Sequence, residues 1–187
     1  MSIWLAPVRL SRVTDPDEVL ANHVRRGDKA AFAALATRYW TAVHRIARNM
    51  LPDRSKAGEV AEETFLRALR SPEWFPYDAP FKVSLYRLAI VLSLIRHQPR
   101  PLVPRGGGSE LTARRDLPEQ IREGLEHVED LDRAAFVLRE IEQLPTEEAA
   151  AILRTSPEMI RGGVHRASLT LTGLLGHRCR SRMASFA

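Results

Sequence analysis

Cysteine is all but missing from these 187 residues: Cys179 stands alone. No disulfide can close within the chain, which suits a reducing compartment, by default the cytoplasm. Aromatic residues make up only 6%, and the β-branched runs that announce sheets are missing. The recurring Ala, Leu, Arg and Glu point instead to helices. Long hydrophobic runs are absent too. The longest, Leu88 to Ile95, is far too short to span a membrane, and the apolar Ile3 to Val8 is followed by arginines rather than preceded by them, which fits no signal peptide. Chemistry-bearing clusters are equally scarce. None of the six histidines (His23, His44, His97, His127, His165, His177) pairs with another at the i, i+4 spacing of a helical zinc site. No phosphate loop, dinucleotide glycine fingerprint or nucleophile elbow is present. The reading is therefore of a chain that is not an enzyme, with no metal and no cofactor.

What is there is basic charge, unevenly spread. The net charge is +5. Residues 1–110 hold 17 Lys and Arg against 11 Asp and Glu, residues 111–148 hold 5 against 11, and residues 149–187 hold 6 against 1. An acidic block lies between two basic ones. A polyanionic partner and mere solvation of a helical surface account equally well for the basic excess.

Helical periodicity organises the first half. Asp15-Pro16-Asp17-Glu18 predicts a capped short helix that Gly27 ends. Asp28 caps a second, with Phe32, Leu35, Tyr39, Trp40, Val43, Ile46 and Met50 on one face, ending near Leu51. After Pro52 a third begins at Asp53. It buries Ala57, Val60, Ala61, Thr64, Phe65, Ala68 and Leu69 and leaves Glu59, Glu62, Glu63 and Arg67 outward. Prolines break it between Ser71 and Pro80, and a fourth helix from Phe81 to about His97 places Leu85, Leu88, Ala89, Leu92 and Ile95 on one side. Four such helices close a small bundle.

Residues 98–116 read as a flexible linker, rich in Pro, Gly and Arg. Within it Leu102-Val103-Pro104-Arg105-Gly106 resembles a thrombin-type cleavage site joined to a Gly-Ser spacer, natural or engineered. Beyond it two helical patterns, Leu117 to Glu129 and Asp130 to Gln143, precede a short helix from Pro145 to Leu153. Arg154-Thr155-Ser156 forms a turn. Ser156 as N-cap, Pro157 and Glu158 then open a last helix to about Leu175, making a helix-turn-helix. That helix exposes Glu158, Arg161, His165 and Arg166 and buries Ile160, Val164 and Leu171. Arginines so placed suit guanine edges and phosphates, although a helical hairpin with a basic surface reads the same way. The whole is an all-α chain of two small helical domains: a tail (1–14), a four-helix domain (15–97), the linker (98–116), a helix-turn-helix domain (117–175) and a basic tail (176–187).

This order resembles the bacterial sigma-70 family, in its extracytoplasmic-function group, which keeps only the domains called region two and region four. The first rests on Gly27-Asp28-Lys29-Ala30-Ala31-Phe32, on Ala57-Gly58-Glu59-Val60-Ala61-Glu62-Glu63-Thr64-Phe65-Leu66-Arg67-Ala68, and on Pro80-Phe81 with Leu85-Tyr86-Arg87-Leu88-Ala89. The second rests on Leu138-Arg139-Glu140-Ile141-Glu142, on Pro145-Thr146-Glu147-Glu148-Ala149-Ala150-Ala151-Ile152-Leu153 and on Val164-His165-Arg166-Ala167. The resemblance implies a sigma factor that binds RNA polymerase core and promoter DNA. Glu59, Glu62, Glu63 and Arg67 would grip the clamp helices of the β′ subunit. Trp74, Phe75 and Tyr77 would meet the opened downstream element by stacking, or Trp74 and Phe75 would tuck against the bundle as a hydrophobic loop, while Lys82, Tyr86, Arg87 and Arg96 approach the separated strand. Thr155, Ser156, Glu158, Arg161, His165 and Arg166 would read the upstream duplex. Family members are often held by an anti-sigma factor. The family usually carries Trp at the place of Ser84, Asn at Val91 and Asp at Ile95. Its last helix carries basic and polar residues where Gly162 and Gly163 stand, a pair that costs about 1 kcal/mol per glycine relative to alanine. Two further readings stay open: a sigma-like protein that binds polymerase or another partner without opening DNA, and a plain helix-turn-helix regulator.

Overall fold

A computed structural model of the chain describes residues 15–53, 55–70, 75, 79–97 and 117–184, with side chains to residue 175. The expected linker, Trp74 and Tyr77 lie outside these residues. Among the described residues the structure is all helix, and no helix is long and apolar enough to cross a membrane. The chain forms two compact units. The first holds α1 (Asp17–Arg25), α2 (Lys29–Met50), α3 (Ser55–Arg70) and α4 (Phe81–Arg96) as far as Ile95, and the second runs from Arg96 and includes Asn49–Pro52. The division falls two residues before the expected one, and the His97 ring meets Arg133 and Asp130 of α6 (Asp130–Phe136).

In the first unit the caps come from short polar side chains. The Asp28 carboxylate accepts the N–H groups of Ala30 and Ala31 at 2.9 and 3.1 Å, and Gly27, at φ +85°, ends α1 in the left-handed conformation. Asp53 likewise accepts the Ser55 N–H at 3.0 Å and its hydroxyl at 2.7 Å, and that hydroxyl holds the Asp53 carboxyl below its usual range. Asp15 is not the cap of α1. Pro16 fills that position without a side-chain bond, and the Asp15 carbonyl receives Arg38 at 2.8 Å instead. Asp17 then ties α1 to α2 by accepting from Arg38 and from the Tyr39 hydroxyl. Burial and this bond raise the Tyr39 phenol well above its ordinary range.

The core between these helices is aromatic. Phe65 meets Phe32 edge-on at 6.3 Å and stacks on Trp40 at 5.7 Å, while Phe81 stacks on Phe75 at 4.9 Å. Both sides of α4 are buried, from Phe81 and Val83 through Ile90 to Ser93. Its end is not: Ile95, expected inward, is 70% exposed, and Leu69 at the end of α3 is 39% exposed.

The second unit contains α5 (Leu117–Leu125), α6, a π-helical turn (Val137–Ile141), α7 (Thr146–Leu153) and α8 (Pro157–Ala184). The long α8 packs on α5, α6 and α7, and its backbone stays helical nine residues past the expected end at Leu175. The expected single helix Asp130 to Gln143 is instead broken by the π turn, in which the Glu142 N–H reaches back to the Val137 carbonyl at 2.9 Å. Arg139 bonds the Leu144 carbonyl, and Gln143 takes φ +54° to leave the turn. The core of this unit holds charge. Arg133, 1% exposed, donates to Asp130 and, at 3.0 Å, to His97 Nε2. The His97 proton then sits on Nδ1, 3.6 Å from Asp130. Burial and the Arg133 cation lower the His97 pKa, and burial lowers that of Arg133.

Candidate functional site

The outer face of α3 is built by subtraction. Val60, Ala61, Thr64 and Phe65 turn inward, and the Thr64 hydroxyl is returned to the Val60 carbonyl at 2.7 Å. Glu59, Glu62 and Arg67 remain exposed and Glu63 half-buried, with Arg67 paired to Glu63 at 2.6 Å. The result is a small face of net negative charge on a rigid helix.

Next to it, the expected DNA-facing residues divide. Phe75 is 5% exposed, stacked on Phe81, and its carbonyl receives Arg25 at 2.8 Å. Tyr86 is 4% exposed and edge-on to Tyr39 at 5.9 Å. Both rings are packed in the core of the first unit, Phe75 in the manner of a loop tucked against the bundle. Lys82, Arg87 and Arg96 are half-buried on α4, with Lys82 Nζ 5.8 Å from the Tyr86 ring. Ser84 is inside, its hydroxyl without a bond among the described residues.

In the second unit α7, a three-residue turn and α8 form the helix-turn-helix. Arg154 closes α7 in the left-handed conformation (φ +53°, ψ +48°), where a side chain is normally disfavoured. The Thr155 N–H is held by the Ala150 carbonyl at 3.1 Å, and the Ser156 hydroxyl accepts the Met159 N–H at 3.3 Å. Glu158 and Arg161 are exposed and paired at 2.7 Å. The Glu158 N–H and the Ser156 hydroxyl hold the Glu158 carboxyl below its usual range. His165 is exposed beside them.

The inward face of α8 is Ile160, Gly163, Ala167 and Leu171, with Val164 only half-buried. Gly163 thus lies at a helix contact rather than on the outward face. A Cβ there would come within 3.0 Å of Asp132 Oδ1 and 3.2 Å of Ala135 Cβ. Arg166 donates Nε–H to Asp132 Oδ2 at 2.7 Å and Nη2–H to Oδ1 at 2.6 Å, which pushes its pKa up. Asp132 was not singled out from the sequence. Nothing local marks it, since its partner lies 34 residues away.

Comparison with known proteins agrees with this layout. The family model described as Sigma-70 region 2 matches residues 35–100, and that described as Sigma-70, region 4 matches residues 119–171. The chain is 27% identical over 172 residues to the ECF RNA polymerase sigma-E factor of Escherichia coli (strain K12), covering 81% of this chain and 90% of that one. It is 26% identical over 179 residues to the RNA polymerase sigma-H factor of Pseudomonas aeruginosa, covering 82% and 90%. Among solved structures, CnrH in complex with the cytosolic domain of CnrY is similar with a TM-score of 0.70 and 25% identity, over 87% of this chain and 99% of that one. The sigma factor RpoE of Bartonella quintana, solved with the anti-sigma factor NepR, shares the fold with a TM-score of 0.59 and 19% identity, over 78% and 96%.

Proposed function

The chain belongs to the sigma-70 family, in its extracytoplasmic-function group, and from that premise we propose that it binds RNA polymerase core in the cytoplasm and directs it to a two-part promoter. The observation that carries this reading is the succession of a region-two bundle and a region-four helix-turn-helix, whose α8 sets Arg161 and His165 outward. The role is one of binding rather than catalysis. The face of Glu59, Glu62, Glu63 and Arg67 docks on the polymerase clamp helices by charge complementarity. Glu158, Arg161, His165 and Arg166, entered through Thr155 and Ser156, contact the upstream duplex. Lys82, Arg87 and Arg96 serve the opened strand electrostatically, with Trp74 and Tyr77 as the stacking candidates left once Phe75 is assigned to the core. An anti-sigma partner belongs to this reading as well, by likeness to RpoE, solved with the anti-sigma factor NepR.

Run-off transcription with purified core polymerase on a genomic fragment library tests the proposal, the expected outcome being promoter-dependent transcripts. A second reading is favoured by the burial of Phe75 and Tyr86 and by the exposed Ile95 where the family carries Asp: binding of core without strand opening. Core binding with no transcript on any fragment selects it, and duplex binding without core binding selects a plain helix-turn-helix regulator.

A further inference from the structure

The two glycines of α8 cost helix stability and yet sit side by side in its first half. Their surroundings differ. A Cβ on Gly162 would lie 3.2 Å from Arg166 Nη1, and one on Gly163 would press on Asp132 and Ala135 of α6. Gly162 therefore leaves room for one end of the Arg166 guanidinium, and Gly163 for the carboxylate that holds its other edge. The Asp132 side chain is 10% exposed, whereas that of Arg166 is 54% exposed. A guanidinium has five N–H donors, and Asp132 takes two of them, leaving both on Nη1 and one on Nη2.

We propose that Arg166 is a pre-set phosphate clamp at the edge of the duplex-binding face, with Asp132 as its positioning residue and Gly162 and Gly163 as the seat that lets the pair form. The inference rests on the promoter-binding reading above. Helical spacing puts Glu158, Gly162, His165 and Leu169 along the middle of the exposed face of α8, with Arg166 on the flank towards α6. When a helix enters a major groove its middle meets base edges and its flanks meet the sugar–phosphate walls. An arginine held from behind by a buried carboxylate has already lost its side-chain freedom, so it binds phosphate without paying for that order again. It also cannot swing inward to a base.

The full chain is titrated at several salt concentrations against a labelled duplex that it has itself selected from a random pool, and against a scrambled duplex. In Asp132→Asn/Arg166→Gln, where an amide pair replaces the ion pair, the slope of log K against log salt should shrink by about 0.9, the share of one phosphate contact. Affinity should fall alike on both duplexes. Asp132→Asn alone keeps the cation, so the slope should stay while affinity drops several-fold. Arg166→Lys, a milder change to the fold, should do the same because an ammonium cannot grip Asp132 with two bonds. An unchanged slope in the folded double variant, or a loss confined to the selected duplex, overturns the clamp while leaving promoter binding intact. No binding of the unaltered chain to either duplex at low salt, alone or bound to core polymerase, overturns promoter binding itself, and the clamp with it.

Discussion

The two units solve the same problem, closing a small helical core, with different materials. The first buries rings: Phe32, Phe65, Tyr39, Phe75, Phe81 and Tyr86 are all under 10% exposed, and its charges stay on the rim. The second has no comparable set among its described residues. Its largest fully buried side chain is Arg133, and Asp132 lies inside beside Gly163. Apolar burial is non-directional and tolerates small displacements, whereas an ion pair with one buried partner and a glycine contact hold only at one separation. The unit proposed to read duplex DNA is thus the one whose helix positions are set most narrowly, and that is where a fixed arginine is of use.

Four changes test this contrast, beginning with the largest. Phe65→Ala removes the ring that Phe32 and Trp40 share, and it should destabilise the first unit by about 3–5 kcal/mol in chemical denaturation. Gly163→Val overpacks the contact of α6 with α8 and should cost about 1–3 kcal/mol. Amide hydrogen exchange should show the loss in α6 and α8 and leave α2 and α3 protected as before. Equal loss in both units would erase the distinction between them.

A smaller effect follows pH. His97 has its pKa lowered in the folded chain by burial and by Arg133, so the unfolded chain takes up the proton first. Its contribution to stability is complete above the ordinary value of 6.5 and declines as pH falls below it, until folded His97 is itself protonated. His97→Gln should flatten that part of the curve for the second unit in thermal melts, with the first unit unaffected. Smallest for stability is Glu59→Lys/Glu63→Lys, which should change the melting free energy by less than about 0.5 kcal/mol, since these are rim positions. The same variant should bind core polymerase measurably more weakly in a pull-down or by fluorescence anisotropy. Unchanged affinity would remove α3 from the interface.

The sequence by itself determined the helical class, the order of elements and the local devices. Asp28, Gly27 and Ser156 act within a few residues of themselves, and periodicity placed Val60, Phe65, Leu88 and Ile160 inward because a helix repeats the same face every three or four residues. The helix-turn-helix and the polar face of α3 were legible for that reason. Only the tertiary structure decided that Phe75 and Tyr86 pack into the first core, that Leu69 and Ile95 stay exposed near the ends of their helices, and that a π turn follows α6. It also turned Gly163 from a missing basic contact into a helix crossing and gave Arg166 a partner 34 residues away. Propensity and spacing act along one helix, whereas burial, closest approach and ion pairing depend on which other helix arrives opposite, and no residue carries that in its own neighbourhood.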